Sequence, residues 1–167
     1  MLYLLKWGVC PTCDYFKRLS YVDWQERFDI LKDLLLKFPR KSGQYFDCII
    51  GVSGGKDGSR QALWVRDTLG LKPLLVCLSY PPLQVTERGV DNISNLIELK
   101  FDIVLSAPAL GVWKSLMQES FECFTNWTKS TELALFSSVP QIAIRCDIPL
   151  ILCGGEILGC NWETLRS

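Results

Sequence analysis

The chain has 167 residues, 49% hydrophobic and 22% charged, which suits a globular domain with a sizeable core and excludes a disordered or collagen-like chain. Eighteen Lys and Arg balance eighteen Asp and Glu, so the basic excess of a nucleic-acid binder is missing. Histidine is absent, which removes Ser-His-Asp and Cys-His catalysis and every His-ligated metal site built from this chain alone.

Residues 1–22 read as an irregular, partial zinc-ribbon-like segment carrying "CPTC", and residues 23–167 as one α/β domain, expected to be incomplete at its C-terminus. "MLYLLKWGVC" has neither a basic start nor a small-residue cleavage site. No apolar run approaches the roughly 18 residues of a membrane span. Among the eight cysteines, Cys48, Cys77 and Cys153 fall in apolar, strand-like runs, where a free thiol behaves as a small hydrophobe. Together these features lead us to expect a reducing, cytoplasmic setting.

From Trp24, the spacing of Phe28, Leu31, Leu34, Leu35 and Phe38 predicts a helix, with Asp23 as its cap and Pro39 beyond its end. "FDCIIGVS" predicts a buried strand, residues 57–69 a helix stopped by Gly70, and "PLLVCLS" (73–79) a second strand. After "YPPLQ", Val90, Ile93, Leu96 and Ile97 form a helical face up to Lys100. "FDIVLS" is a third strand. Residues 109–127 and 131–146 predict two helices, with Pro140 kinking or dividing the second, and "IPLILCGG" a fourth strand. Apolar strands alternating with helices imply a parallel sheet with helices on both faces.

The first strand runs into "GVSGGKDGSRQ" (51–61). A strand, a glycine-rich turn and a helix start place main-chain N–H groups at the carboxyl edge of a sheet, where a phosphate is favoured. The loop fits neither common phosphate signature. Gly51 lies one residue too near Gly55-Lys56 for G-x-x-x-x-G-K-[ST], and no two of Gly51, Gly54, Gly55 and Gly58 have the single-residue spacing that opens G-x-G-x-x-G.

Ser53-Gly54-Gly55-Lys56-Asp57-Gly58-Ser59 resembles the S-G-G-x-D-S loop of the PP-loop ATP pyrophosphatase superfamily (adenine nucleotide α-hydrolase-like), departing from it in the glycine between Asp57 and Ser59. Either Gly58 fills the last serine position or that serine is displaced to Ser59. "FDCIIGVSGGKDGS", "LGLKPLLVCLSYPP", "FDIVLSAP" and "PLILCGGE" are similar to the N-acetyl sugar amidotransferase branch, over roughly residues 7 to 160. That resemblance implies a Rossmann-like fold of PP-loop type and a chain shorter than its relatives.

It also implies a reaction. The acetamido oxygen of an N-acetyl sugar, expected to be nucleotide-linked and destined for surface polysaccharide, attacks the α-phosphate of ATP. Ammonia from a separate glutaminase subunit then displaces AMP and leaves an acetamidine. This is positioning and charge stabilisation, which needs no histidine. Ser53, Gly54, Gly55, Gly58 and Ser59 would donate to the phosphates. Lys56 would add mobile positive charge, and Asp57 would order the loop or hold Mg²⁺. Glu156, after "LCGG", would face the nucleotide, the metal or the ammonia route; as a turn acid it would face only solvent. Partners on a membrane or a nucleic acid are not expected.

Cys10 and Cys13 have the spacing of half a zinc site; one pair cannot close a tetrahedron, and the matching pair in the resembling branch lies upstream. A redox dithiol is disfavoured because no clear strand precedes the pair. Asn92, Asn126 and Lys129 read as solvent-facing helix residues. Trp113, Trp127 and Trp162 could stack on a sugar but suit a core equally. Two rival functions stay open: another PP-loop enzyme, such as a tRNA-modifying thiolase or ligase, and a nucleotide-binding remnant without catalysis.

Overall fold

The structure is a computed structural model that describes residues 8–80 and 85–153. The chain divides into two compact units, Met1–Pro39 and Arg40–Ser167.

The first unit holds helices α1 (Pro11–Leu19) and α2 (Trp24–Leu36). Helix α1 replaces the irregular chain expected there. Pro11 opens it at a position where its missing N–H is no loss, and Cys10 caps it, its sulfur accepting from the Cys13 amide at 3.3 Å. An Asp14–Arg18 ion pair of 2.6 Å one turn apart adds modest support on the exposed surface. In α2, the Asp23 carboxylate accepts from the amides of Gln25 and Glu26, both at 3.0 Å, satisfying two of the donors a helix start leaves open. Phe28, Leu31 and Leu35 form its half-buried face, whereas Leu34 and Phe38 are exposed. Helix α2 belongs to the same compact unit as α1.

The second unit is α/β and Rossmann-like. Its strands are β1 (Cys48–Gly51), β2 (Pro73–Leu78), β3 (Asp102–Ser106) and β4 (Ile151–Leu152), all parallel, in the order β3-β2-β1-β4. Between them run α3 (Lys56–Asp67), α4 (Glu87–Glu98), α5 (Leu110–Phe124) and α6 (Lys129–Arg145). The start of β1 is tied to β2 twice: Asp47 N–H donates to the Lys72 carbonyl at 2.9 Å, and Lys72 N–H to the Asp47 carboxylate at 2.7 Å.

Alternation along β1 divides the core. Cys48 and Ile50 pack with Leu75 and Cys77 under Ala62 and Val65 of α3 and Leu96 of α4. Ile49 points the other way and packs with Leu74 and Val76 against Ala143 of α6. Helices thus cover both faces, and full burial of a side chain such as Ile50 contributes about 2–3 kcal/mol.

Four expectations change. Strand β3 is an edge strand with Asp102 and Leu105 exposed, so it is not apolar on both faces. Strand β4 keeps only two paired residues, and Cys153, just past them, is exposed; Cys48 and Cys77 are buried as expected. Helix α6 runs through Pro140, so of the two alternatives the dividing one falls. In α4, Val90 and Ile97 are exposed, and the inward face is Asn92, Ile93 and Leu96 instead.

Candidate functional site

The strand order places β1 between β2 and β4. The chain leaves β1 through α3 on one face of the sheet and returns to β1's other side, at β4, through α6 on the opposite face. The carboxyl end of β1 is therefore the point where crossovers part, the usual ligand crevice of an open parallel sheet. Residues 52–55 emerge there.

Val52 N–H donates to the Val76 carbonyl at 2.8 Å and extends the pairing by one step. Ser53 is exposed. Gly54 then turns with φ of +76°, a left-handed conformation that only glycine adopts without strain. It is buried, and a Cβ there would fall 2.7 Å from Asn92 Cβ and 3.0 Å from the Asn92 carbonyl carbon. The loop is thus pressed against α4 at a position with no room for a side chain. Asn92, expected to face solvent, is half-buried against this loop. Its signal is positional: Asn92 stands four residues before Leu96, which is fully buried, on the same helical face.

Gly55 is the N-cap of α3 and brings no side chain to cap it. The amides of Lys56, Asp57 and Gly58, the first three of the helix, have no acceptor among the described residues. An uncapped helix start beside a left-handed glycine presents its N–H groups outward, the arrangement that suits an anion. Lys56 and Asp57 are both exposed.

The glycine between Asp57 and Ser59 lies within α3. Gly58 is the third residue of α3, packed on Val52, and a Cβ there would meet Val52 at an ordinary 3.6 Å. Ser59 turns back: its hydroxyl donates to the Gly54 carbonyl at 3.3 Å and its amide to the Gly55 carbonyl at 3.0 Å. Ser59 therefore ties the loop down through its hydroxyl and its amide. Ser53, Gly54, Gly55, Lys56, Asp57 and Gly58 come together in one turn; Glu156 lies outside the described residues.

Cys10 and Cys13 belong to the other unit. Among the described residues no group of three or more His, Cys, Asp or Glu side chains is placed to hold a metal ion, so the two thiols stand as a pair. Trp113 is buried with its ring stacked on Tyr80 at 6.2 Å, whereas Trp127 is exposed and Trp162 lies outside the described residues. No helix among the described residues is long and apolar enough to cross a membrane. No protein-family model matches the chain, and none of the curated proteins does.

Proposed function

We propose that residues 40–167 form the ATP-binding domain of an AMP- and pyrophosphate-forming amidotransferase, whose acceptor is the acetamido group of an N-acetylated, nucleotide-linked sugar and whose ammonia comes from a separate glutaminase subunit. One observation carries the first half of this reading: the turn Ser53–Gly58 leaves β1 at the crossover point with three uncapped helix amides and a glycine that no side chain could replace. The sugar and the glutaminase rest on the sequence resemblance.

ATP supplies an electrophilic phosphorus and a good leaving group. The chain's own residues bind and orient it. The amides of Lys56, Asp57 and Gly58 and the Ser53 hydroxyl would donate to phosphate oxygens, and Lys56 would neutralise part of their charge. The Asp57 carboxylate, in the first turn of α3, suits a share in Mg²⁺ coordination, with the remaining ligands drawn from phosphate and water. Ser59 and Asn92 hold the loop in place.

The test is calorimetric titration of the chain with a non-hydrolysable ATP analogue, against Lys56→Ala. Loss of a charge-assisted contact worth about 1.5–3 kcal/mol weakens binding roughly tenfold to a hundredfold, with the fold intact. Unchanged affinity removes Lys56 from the site. Pyrophosphate release dependent on both an acetamido sugar and ammonia would support the amidotransferase reading. Binding without release favours a nucleotide-binding remnant, and RNA binding that falls steeply with salt favours a tRNA-modifying enzyme.

A further inference from the structure

We propose that Cys10 and Cys13 are a redox-active dithiol, with Cys10 the attacking sulfur, Cys13 the resolving one, and a small or exposed disulfide as substrate. The helix that the sequence did not disclose changes the reading of this pair. Pro11 fixes the first turn of α1, Cys10 occupies its N-cap, and Cys13 follows one turn later. Side chains on a helix tilt toward its N-terminus, so Cys13 leans back over Cys10. The Cys13 amide already donates to the Cys10 sulfur at 3.3 Å. Cys10 is half-buried and Cys13 exposed, so a disulfide from solution can reach both. Residues this far apart on a helix lie about 5–6 Å apart at Cβ, close enough for a small adjustment to close an S–S bond.

The two thiols are also made unequal. The Cys10 sulfur, at the N-cap, accepts from the Cys13 amide and lies at the positive end of α1, a position that favours its thiolate. The Cys13 sulfur lies inside the first turn, further from that end. The charged groups of α1 are Asp14, Lys17 and Arg18, of which Asp14 is paired with Arg18. No other cysteines among the described residues stand within one helical turn of each other: Cys48 and Cys77 lie inside the sheet, and Cys123, Cys146 and Cys153 are exposed on separate elements.

The chemistry balances as thiol–disulfide exchange. The Cys10 thiolate attacks one sulfur of the incoming disulfide, forms a mixed disulfide and expels a thiolate. Cys13 loses its proton, attacks the Cys10 sulfur, closes the Cys10–Cys13 bond and expels the second thiolate. Two cysteine thiols are oxidised, one disulfide is reduced to two thiols, and the two protons released by the cysteines end on those thiols.

The experiment uses the full chain, oxidised glutathione and mass spectrometry of the digested protein. Wild type should lose two hydrogens in the peptide holding both cysteines, and Cys13→Ser should accumulate a glutathione adduct on Cys10. Cys10→Ser, which keeps a good helix cap, should carry no comparable adduct on Cys13. In a brief iodoacetamide pulse at neutral pH, Cys10 should be labelled several-fold faster than exposed Cys123. Equal labelling of Cys10 and Cys123, or an adduct on Cys10 no greater in Cys13→Ser than in wild type, overturns the proposal. So does a purified protein carrying stoichiometric zinc that blocks both thiols from exchange.

Discussion

Replacing Gly54 by alanine tests the geometry of the loop directly. At φ of +76° an alanine takes on a left-handed strain of about 1–2 kcal/mol. Its Cβ would also overlap Asn92 Cβ at 2.7 Å and the Asn92 carbonyl carbon at 3.0 Å. One of these atoms is backbone within a helix and cannot swing aside, so relief requires α4 or the loop to move, a further ~1–3 kcal/mol. Together the loss is about 2–5 kcal/mol, a large part of the ~5–15 kcal/mol that holds a domain folded. With a urea dependence of about 1–3 kcal/mol per molar, the unfolding midpoint should fall by roughly 1–2 M. Gly58→Ala is the control, because its Cβ meets Val52 at 3.6 Å and alanine is the better helix residue by about 0.5–1 kcal/mol. Its midpoint should hold or rise slightly. Urea titration followed by circular dichroism, run on both variants, decides the matter. Equal midpoints for Gly54→Ala and Gly58→Ala would refute the close approach of loop and helix.

Three more outcomes follow from packing and charge. Gly51→Ala puts a Cβ 2.9 Å from Val139 Cγ2 of α6, so it should destabilise by about 1–2 kcal/mol, and adding Val139→Ala should recover part of that in a double-mutant cycle followed by urea unfolding. Burial, helped by the neighbouring Asp47 charge, pushes the Cys48 thiol up to about 12 from 9.0. The folded state therefore keeps its proton where the unfolded chain loses it; stability is intact below pH about 9 and lost as pH rises toward about 12. Between pH about 8 and about 10.5, wild type should lose roughly 2 kcal/mol more than Cys48→Ala, measured by urea midpoints at each pH, and parallel curves would contradict this. Asp23→Ala removes the acceptor for two amides and should lower helical stability in the first unit by about 1 kcal/mol, read as faster amide hydrogen exchange in α2.

Elements whose signal is local and strong were legible. Strands β1 and β2 are short apolar runs bounded by glycine and proline, and Asp23 is a cap of the usual chemistry. Helix α1 escaped because its cap is a thiol rather than an oxygen and its nine residues make too short a run, with no buried side chain, to stand out beside "CPTC". In α4 the apolar positions suggested a stripe through Val90 and Ile97, yet the helix turns Asn92 inward with Leu96. That rotation puts Ile93 and Leu96 in the core and Asn92 against the glycine loop, contacts between residues far apart in sequence. The same holds for the loop itself. Its composition announced a close backbone approach, but only the fold shows that the approaching surface is Asn92 and that Ser59 is spent on the Gly54 carbonyl.

The pairing of Ile49 with Ile151 also bears on how the protein is made. About 100 residues separate the two, so at roughly 5–20 residues per second the ribosome needs about 5–20 s to deliver the partner after Ile49 has been added. Throughout that interval a growing chain that had already joined β1 to β2 would present β1's other flank, with its amides and carbonyls unmatched, to whatever else is nearby. Newly made chains would therefore be most exposed to chaperones, and to one another on a crowded polysome, in the seconds before β4 emerges.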